Sequence, residues 1–162
     1  MGPESARAFA IRKHGEQRYD EHPYEHHLSQ VVEILQSWTD DPDLLAAAWL
    51  HDTIEDTDTS RDDLMRLFGK RVAGLVWAVT AEGENRADKM SAIYRKIAEN
   101  PDAALVKLAD RVANVEAASP GSRHLERYLG EHEGFAKAIR PYVPADAWTR
   151  MEAAYQPGSP LV

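Results

Sequence analysis

The fold of this chain is decided by the stretch Leu44–Asp56, whose sequence is LLAAAWLHDTIED. Its first half, Leu44–Leu50, is an almost unbroken run of apolar helix formers, which predicts a helix that is apolar all round and therefore buried. The residues just before it, Asp41–Asp43 (DPD), are typical of a helix start, with proline in the first turn and acids near the positive end of the dipole. We expect this helix to run to about Ile54.

The second half of the stretch places an imidazole and three carboxylates at the end of the buried helix. At about 100° per residue, these four side chains fall within about 140° of one another if the helix continues. They are His51, Asp52, Glu55 and Asp56. A dry core cannot hold such a group without compensation, which a metal cation and a water-filled cleft would provide. The alternative is a solvated helix end followed by a polar loop, because exposed acids are common.

The composition limits the domain organisation and the kind of metal site. The chain has 162 residues, 43% of them hydrophobic, which predicts one domain over residues 1–155 and a disordered tail over residues 156–162. Because cysteine is absent, a metal would be held by histidine, carboxylates and water. Such a donor set favours Mn, Mg, Fe or Zn.

Charge and hydropathy argue against two classes of partner. The net charge of -8 argues against a protein that binds nucleic acid non-specifically, although a small phosphorylated ligand needs only a local basic cluster. The sequence contains no leader and no apolar run of about 18 residues, so neither secretion nor membrane insertion is indicated. We therefore expect a cytoplasmic protein. The sequence does not indicate its oligomeric state.

The remaining periodicity predicts an all-α domain, because no convincing alternating strand is present. Apolar residues recur at helical spacing on both sides of the central helix. Besides that helix, the predicted helices cover residues 6–17, 23–35, 60–68, 70–80, 88–99, 103–118, 123–137 and 144–155.

Two further polar side chains lie on apolar faces of predicted helices. His27 shares a face with Val31 and Ile34, where a hydrogen-bonded core histidine is the simpler interpretation. Asp110 lies among apolar residues, where the simpler interpretation is an ion pair with a cation from another helix. Taken together with His51 and Asp52, however, these residues form a set of four candidate metal ligands.

The order and setting of these residues resemble the HD-domain metal-dependent phosphohydrolases. The match is closest to the hydrolase domain of the Rel/Spo alarmone enzymes and to the stand-alone small alarmone hydrolases. It rests on five stretches in the family's order: Phe9–His14, Pro23–His27, Ala47–Thr57, Phe68–Gly69 and Val106–Asn114. The resemblance implies a single HD-domain helical bundle with the metal site between helices.

Carried over residue by residue, the resemblance implies roles for three sets of side chains. The ligands of one Mn²⁺ would be His27, His51, Asp52 and Asp110. The pair acting on the attacking water would be Glu55 and Asp56. The guanosine nucleotide would be held by Arg12, Lys13, Tyr24 and Asn114. Two further candidates to reach its diphosphate are Arg86 and Lys89.

The implied reaction removes the 3′-diphosphate from guanosine 3′,5′-bis(diphosphate) or its pentaphosphate, giving GDP or GTP and diphosphate. Because the chain has no room for the synthetase domain of the long Rel/Spo proteins, we expect degradation only. Two alternatives stay open: an HD phosphohydrolase for another nucleotide, (p)ppApp or NADPH, and a non-catalytic module that senses a nucleotide or a metal. The presence of Glu55 and Asp56 favours an enzyme, because a sensor has no need for two acids beside a metal with four ligands.

Overall fold

The computed structural model describes residues 2–155, and most of them lie in helices. The α-helices are α1 (Pro3–His14), α2 (Tyr24–Gln36), α3 (Pro42–Leu50), α4 (Thr53–Asp56), α5 (Arg61–Phe68), α6 (Lys70–Ala78), α7 (Arg86–Glu99), α8 (Ala103–Ala117), α9 (Arg123–Ile139) and α10 (Ala145–Ala154). A 3₁₀ turn, Arg140–Tyr142, joins α9 to α10.

The predicted all-α class is confirmed. The single domain over residues 1–155 stays a prediction, and the predicted tail over residues 156–162 lies outside the described residues. No helix within residues 2–155 has the length and hydropathy needed to cross a membrane.

Helix α3 lies at the centre of the fold. Every residue from Leu44 to Leu50 is buried, as the apolar run predicts. The helix packs against α1, α2, α6 and α8. This packing brings the C-terminal end of α3 next to the first turn of α2 and the middle of α8, where His27 and Asp110 lie.

Helix α3 ends earlier than the sequence predicted. It stops at Leu50 rather than near Ile54, and His51 and Asp52 form a turn before the short helix α4. Asp52 has φ −102° and ψ 2°, in the sparsely populated bridge region. The hydroxyl of Thr53 donates to the carbonyl oxygen of Leu50 at 2.7 Å, which satisfies one of the carbonyls freed at the helix end. Helical spacing therefore does not set the directions of the acidic side chains that follow.

A short antiparallel hairpin corrects the expectation that the chain contains no strand. Its strands, β1 (Arg18–Tyr19) and β2 (His22–Pro23), lie between α1 and α2, with Tyr19 opposite His22. Strands of two residues are too short to produce an alternating pattern in the sequence.

Helix α1 also ends before its predicted limit, at His14. Gly15 adopts a positive φ of 55°, and its N–H donates to the carbonyl oxygen of Ile11 at 3.1 Å. A glycine at this position closes a helix without the steric cost that a side chain would add.

Arg71 links the starts of α3 and α8 at the surface. Its guanidinium contacts the carboxylates of Asp41 at 3.0 Å, Asp43 at 3.1 Å and Asp102 at 3.1 Å. Asp41 is also the N-cap of α3, because its carboxylate accepts a hydrogen bond from the backbone N–H of Asp43 at 2.9 Å. Asp102 directly precedes α8, so one guanidinium joins the first turns of two helices.

We expect Asp41→Ala to lower the free energy of unfolding by about 1–2 kcal/mol, the usual cost of losing an N-cap. Burial raises the pKa of Asp41, but hydrogen bonds from Arg71 and from the backbone of Asp43 outweigh it and keep this pKa below its ordinary value. The contribution of the Asp41 carboxylate to the free energy of unfolding is therefore present above the ordinary pKa of an aspartate. It is lost as the pH falls through the lowered pKa of Asp41. Denaturant unfolding at neutral and acid pH measures it. The control is Asp40→Ala at an exposed neighbour, and an equal loss there would contradict the capping role.

Candidate metal centre

The imidazole of His51 is fixed by the end of α3. Its side chain is 3% exposed, and its Nδ1–H donates to the carbonyl oxygen of Ala48 at 2.7 Å. This hydrogen bond directs Nε2 to within 3.0 Å of Oδ2 of Asp52 and 3.3 Å of Oδ1 of Asp110. Nε2 is buried and has no hydrogen-bond partner among the described residues. Metal-binding histidines are oriented in this way, through a hydrogen bond of the other ring nitrogen.

His27 joins this group from the first turn of α2. Its side chain is 2% exposed, and its Nε2 lies 3.1 Å from Oδ1 of Asp110 and 3.9 Å from Oδ2 of Asp52. The ring of Tyr19, on the hairpin, stacks on the imidazole with a centroid distance of 4.5 Å and an interplanar angle of 10°. The hairpin therefore fixes the plane of the His27 ring.

Asp110 is held by groups of its own helix, α8. Lys107, one turn earlier, contacts Oδ2 at 3.2 Å, and Nδ2 of Asn114, one turn later, donates to Oδ1 at 3.1 Å. Burial raises the pKa of Asp110, but Lys107 and His51 outweigh burial and hold this pKa well below its usual range. The compensating charge thus comes both from Lys107 on the same helix and from His51 at the end of α3.

The protonation of His51 and Asp52 is set by their mutual contact. Burial raises the pKa of Asp52, but His51 outweighs it and lowers this pKa to about 2. Burial lowers the pKa of His51, whereas the carboxylates of Asp52 and Asp110 raise it well above its ordinary value. The carboxylates therefore favour a positive charge at Nε2, and a metal cation would take the place of that proton.

His27, His51 and Asp52 have chemistry and spacing that suit a divalent cation, and Asp110 contacts both imidazoles. Bonds from a metal to imidazole nitrogen or carboxylate oxygen measure about 2.0–2.2 Å, so neighbouring donors of one ion lie about 3 Å apart. The contacts between donor atoms in this cluster measure 3.0–3.9 Å. Ligand atoms of His27, His51 and Asp52 all lie within 4.8 Å of one another. Two imidazoles and two carboxylates thus form a centre suited to a divalent metal.

A cavity of about 180 Å³ opens over this cluster, and Glu55 forms part of its wall. Besides the cluster, the lining residues are Tyr19, Tyr24, Glu55, Val79, Arg86, Lys107, Arg111, Asn114 and Tyr128. The carboxylate of Glu55 accepts a hydrogen bond from the backbone N–H of Ala81. The side chain of Glu55 is exposed, but protein atoms surround much of its carboxylate. The resulting desolvation and the nearby carboxylate of Asp52 raise the pKa of Glu55.

Asp56, the other acid of the predicted catalytic pair, does not line this cavity. Its side chain is exposed, and its Oδ2 accepts a hydrogen bond from Nε2 of Gln17 at 3.0 Å. The structure therefore brings Glu55 to the metal centre and directs Asp56 toward the segment after α1.

Two of the residues predicted to hold the nucleotide contact the carboxylates of the cluster. The hydroxyl of Tyr24 donates to Oδ2 of Asp52. Asn114 donates from Nδ2 to Asp110 and accepts a hydrogen bond at Oδ1 from the hydroxyl of Tyr19 at 2.8 Å. Both residues also line the cavity, so they connect the metal centre to the space for a ligand.

The other two predicted nucleotide residues, Arg12 and Lys13, do not line the cavity. Nζ of Lys13 contacts Oδ1 of Asp58 at 3.0 Å, and the guanidinium of Arg12 lies 5.4 Å from the ring centroid of Phe9. Both lie in the last turn of α1, where cations complement the helix dipole. Their contact with a nucleotide stays a prediction.

The positive charge at the cavity comes from Arg86, Lys107 and Arg111. Arg111 is 1% exposed, and its guanidinium lies 4.3 Å from the ring centroid of Phe135. Glu131, on α9, contacts both arginines, at 2.8 Å from Arg86 and 3.2 Å from Arg111. The wall of the cavity therefore carries three cations, two of which are paired with Glu131.

Four polar residues that line the cavity were not predicted from the sequence: Tyr19, Lys107, Arg111 and Tyr128. The spacing of Lys107 and Asp110 on one helix face could have indicated their pairing. Tyr19 and Tyr128 carry no such signal, because a short hairpin and a distant helix bring them to the cavity.

A family model for the HD domain matches residues 6–132 of this chain. The chain therefore belongs to the HD-domain family, as the resemblance predicted. The matched range contains His27, His51, Asp52 and Asp110. It also contains Glu55, which forms part of the cavity wall.

Three curated relatives share this region. A guanosine-3′,5′-bis(diphosphate) 3′-pyrophosphohydrolase of Aquifex aeolicus is 42% identical over 114 residues, which are 67% of this chain and 16% of that protein. Guanosine-3′,5′-bis(diphosphate) 3′-pyrophosphohydrolase MESH1 of Drosophila melanogaster is 39% identical over 114 residues, 66% of this chain and 64% of the relative. The human protein of the same name is 38% identical over 127 residues, 71% of each chain. The chain thus spans less than two thirds of the length of the first two relatives.

A solved structure has the same fold. It is described as that of a metazoan ortholog of SpoT that hydrolyzes ppGpp and plays a role in starvation responses. The two structures match with a TM-score of 0.81 at 27% sequence identity, over 94% of this chain and 93% of the other. The predicted HD-domain helical bundle is therefore confirmed.

Proposed function

We propose that this protein hydrolyses guanosine 3′,5′-bis(diphosphate), ppGpp, at its 3′ position with the help of Mn²⁺. The observation that carries the proposal is the cavity whose wall combines His27, His51, Asp52 and Asp110 with the carboxylate of Glu55. The Aquifex, Drosophila and human relatives are named for this reaction, and the solved neighbour is described as hydrolysing ppGpp. These names support the choice of substrate.

The metal would be held by His27, His51, Asp52 and Asp110. Four protein ligands leave positions on a six-coordinate ion for water and phosphate, and Mn²⁺ accepts this mixture of imidazole and carboxylate donors. A divalent ion bound there lowers the pKa of a water molecule and polarises a phosphoryl oxygen.

Glu55 is the group placed to accept the proton of the attacking water. Its carboxylate lines the same cavity as the four proposed metal ligands, and a carboxylate can serve as a general base. The hydrogen bond from Ala81 fixes the direction of the carboxylate. Asp56 would assist from its position beside Gln17, as part of the same proposal.

In the proposed reaction, the water oxygen bonds to the phosphorus attached to the 3′ oxygen, and the phosphorus–oxygen bond to the ribose breaks. The 3′ oxygen takes a proton and leaves as the hydroxyl of GDP, or of GTP from the pentaphosphate, and diphosphate is released. Lys107, Arg86 and Arg111 would balance the charge of the departing diphosphate, because they line the same cavity.

The test is purified protein with Mn²⁺ and a panel of ppGpp, pppGpp, ppApp and NADPH, with products separated by chromatography. We expect GDP and diphosphate from ppGpp, and no product after removal of the metal with a chelator. Preferred turnover of ppApp or NADPH would transfer the proposal to that nucleotide. Binding of ppGpp without any product would favour the sensing module.

Tyr24→Phe separates two roles of the tyrosine. Its hydroxyl donates to the carboxylate of Asp52, and loss of a group that orients a metal ligand typically costs about 10- to 100-fold in metal affinity. We therefore expect weaker Mn²⁺ binding and an unchanged KM for ppGpp at saturating metal. The control is Tyr142→Phe, at an exposed tyrosine. A raised KM with unchanged metal affinity would instead support the nucleotide contact that the sequence predicted.

A further inference from the structure

Lys96 is a buried cation that lies outside the cavity. Its side chain, on α7, is 5% exposed. Its Nζ donates to the carbonyl oxygen of Thr80 at 2.6 Å and contacts the carboxylate of Glu82 at 2.9 Å, and it lies 4.1 Å from the ring centroid of Trp77. A buried ammonium is costly unless such partners compensate it. These contacts therefore fix the chain segment Thr80–Glu82.

The residue between the two contacts, Ala81, reaches the cavity wall. Its backbone N–H donates to the carboxylate of Glu55. The hydroxyl of Thr80 also donates to the carbonyl oxygen of Val76 at 2.7 Å, which ties the segment to α6. The carbonyl of Thr80 and the N–H of Ala81 belong to the same peptide group. Hydrogen bonds on the two sides of this group thus join the ammonium of Lys96 to the carboxylate of Glu55, the proposed general base.

We propose that Lys96 is a positioning residue, which holds the segment Thr80–Glu82 so that the amide of Ala81 orients Glu55 toward the metal centre. The inference rests on the proposed function, because that function gives Glu55 its role. Lys96 does not line the cavity; it borders a separate surface groove with Trp77. It therefore acts through Glu55 and not through contact with the substrate.

Lys96→Met tests this role, because methionine keeps an unbranched apolar stem and removes the charge. We expect kcat for ppGpp to fall by about 10- to 100-fold, since small misplacements of a catalytic group have effects of this size. KM and Mn²⁺ affinity should stay at the wild-type values. The matched control is Arg95→Met, which removes an exposed cation from the same helix and should leave kcat unchanged.

A double variant shows whether the loss passes through Glu55. In the Glu55→Gln background, Lys96→Met should cause no further loss, because both changes act on one group. A loss of the same size in both backgrounds would overturn the positioning role, as would an unchanged kcat in the single variant.

Hydrogen exchange at the Ala81 amide, followed by NMR, gives a measurement that needs no turnover. We expect faster exchange in Lys96→Met than in the wild type or in Arg95→Met. A wild type that hydrolyses none of the four nucleotides would overturn the proposed function alone. Unchanged exchange at Ala81 would overturn the role of Lys96 whether or not the protein is active.

Discussion

His51→Ala and Asp110→Ala are each expected to abolish metal binding and to reduce ppGpp hydrolysis to background. Nε2 of His51 and Oδ1 of Asp110 lie 3.3 Å apart at the centre of the cluster, so each change removes a central donor. The chemistry proposed for the cavity depends on the bound ion to activate water, so activity should be lost with the metal. Elemental analysis after dialysis against Mn²⁺ gives the metal stoichiometry, and a diphosphate-release assay gives the rate.

The matched control is His26→Ala, which removes an exposed imidazole next to His27. It should keep the metal and the activity. Circular dichroism of each variant shows whether the helices remain. A folded His51→Ala or Asp110→Ala variant with full metal stoichiometry would contradict the assignment of these ligands.

Glu55→Gln is expected to lower kcat by about 10²-fold or more, the usual size of a general acid–base contribution. Metal and nucleotide affinity should change little, because the amide keeps the shape of the side chain and removes its proton affinity. Asp56→Asn should have a smaller effect, because Asp56 contacts Gln17 and does not line the cavity. Single-turnover rates beside calorimetric affinities measure both variants.

Other outcomes of this comparison are informative. Equal losses in Glu55→Gln and Asp56→Asn would show that both acids act on the water, as the resemblance implies. A wild type that binds ppGpp in the calorimeter and releases no diphosphate would overturn the enzyme for this substrate. In that case the two substitutions would alter binding alone.

The central helix could be predicted because its signals are local. The apolar run of α3 is buried from Leu44 to Leu50, and Asp41 caps the helix, as the sequence indicates. Its end was predicted too late, because the turn at His51 and Asp52 depends on a side chain beyond it. The hydroxyl of Thr53 bonds the carbonyl of Leu50, and such a contact leaves no trace in a periodicity.

The four side chains of the cluster could be grouped from the sequence because their order and setting resemble the HD-domain family, and their role as metal ligands stays a prediction. His27 and Asp110 are buried, as their positions on apolar faces predict. The basic residues at the cavity could not be found from charge alone. The conspicuous pair Arg12 and Lys13 lies at a helix end, whereas Arg111 is hidden in an apolar helix and meets the cavity only through the packing of α8.

The contacts of Arg71 anchor the start of α3, the helix that is followed directly by His51. Helix α3 has 9 residues, so His51 lies about 14 Å from the anchored start of the helix. At that distance, a tilt of about 4° moves the imidazole by about 1 Å, half the length of a metal–nitrogen bond. We therefore expect the exposed charges at the start of α3 to affect Mn²⁺ affinity through the tilt of this helix. Because salt screens such charges, ionic strength is a variable to hold constant when Mn²⁺ affinities are compared.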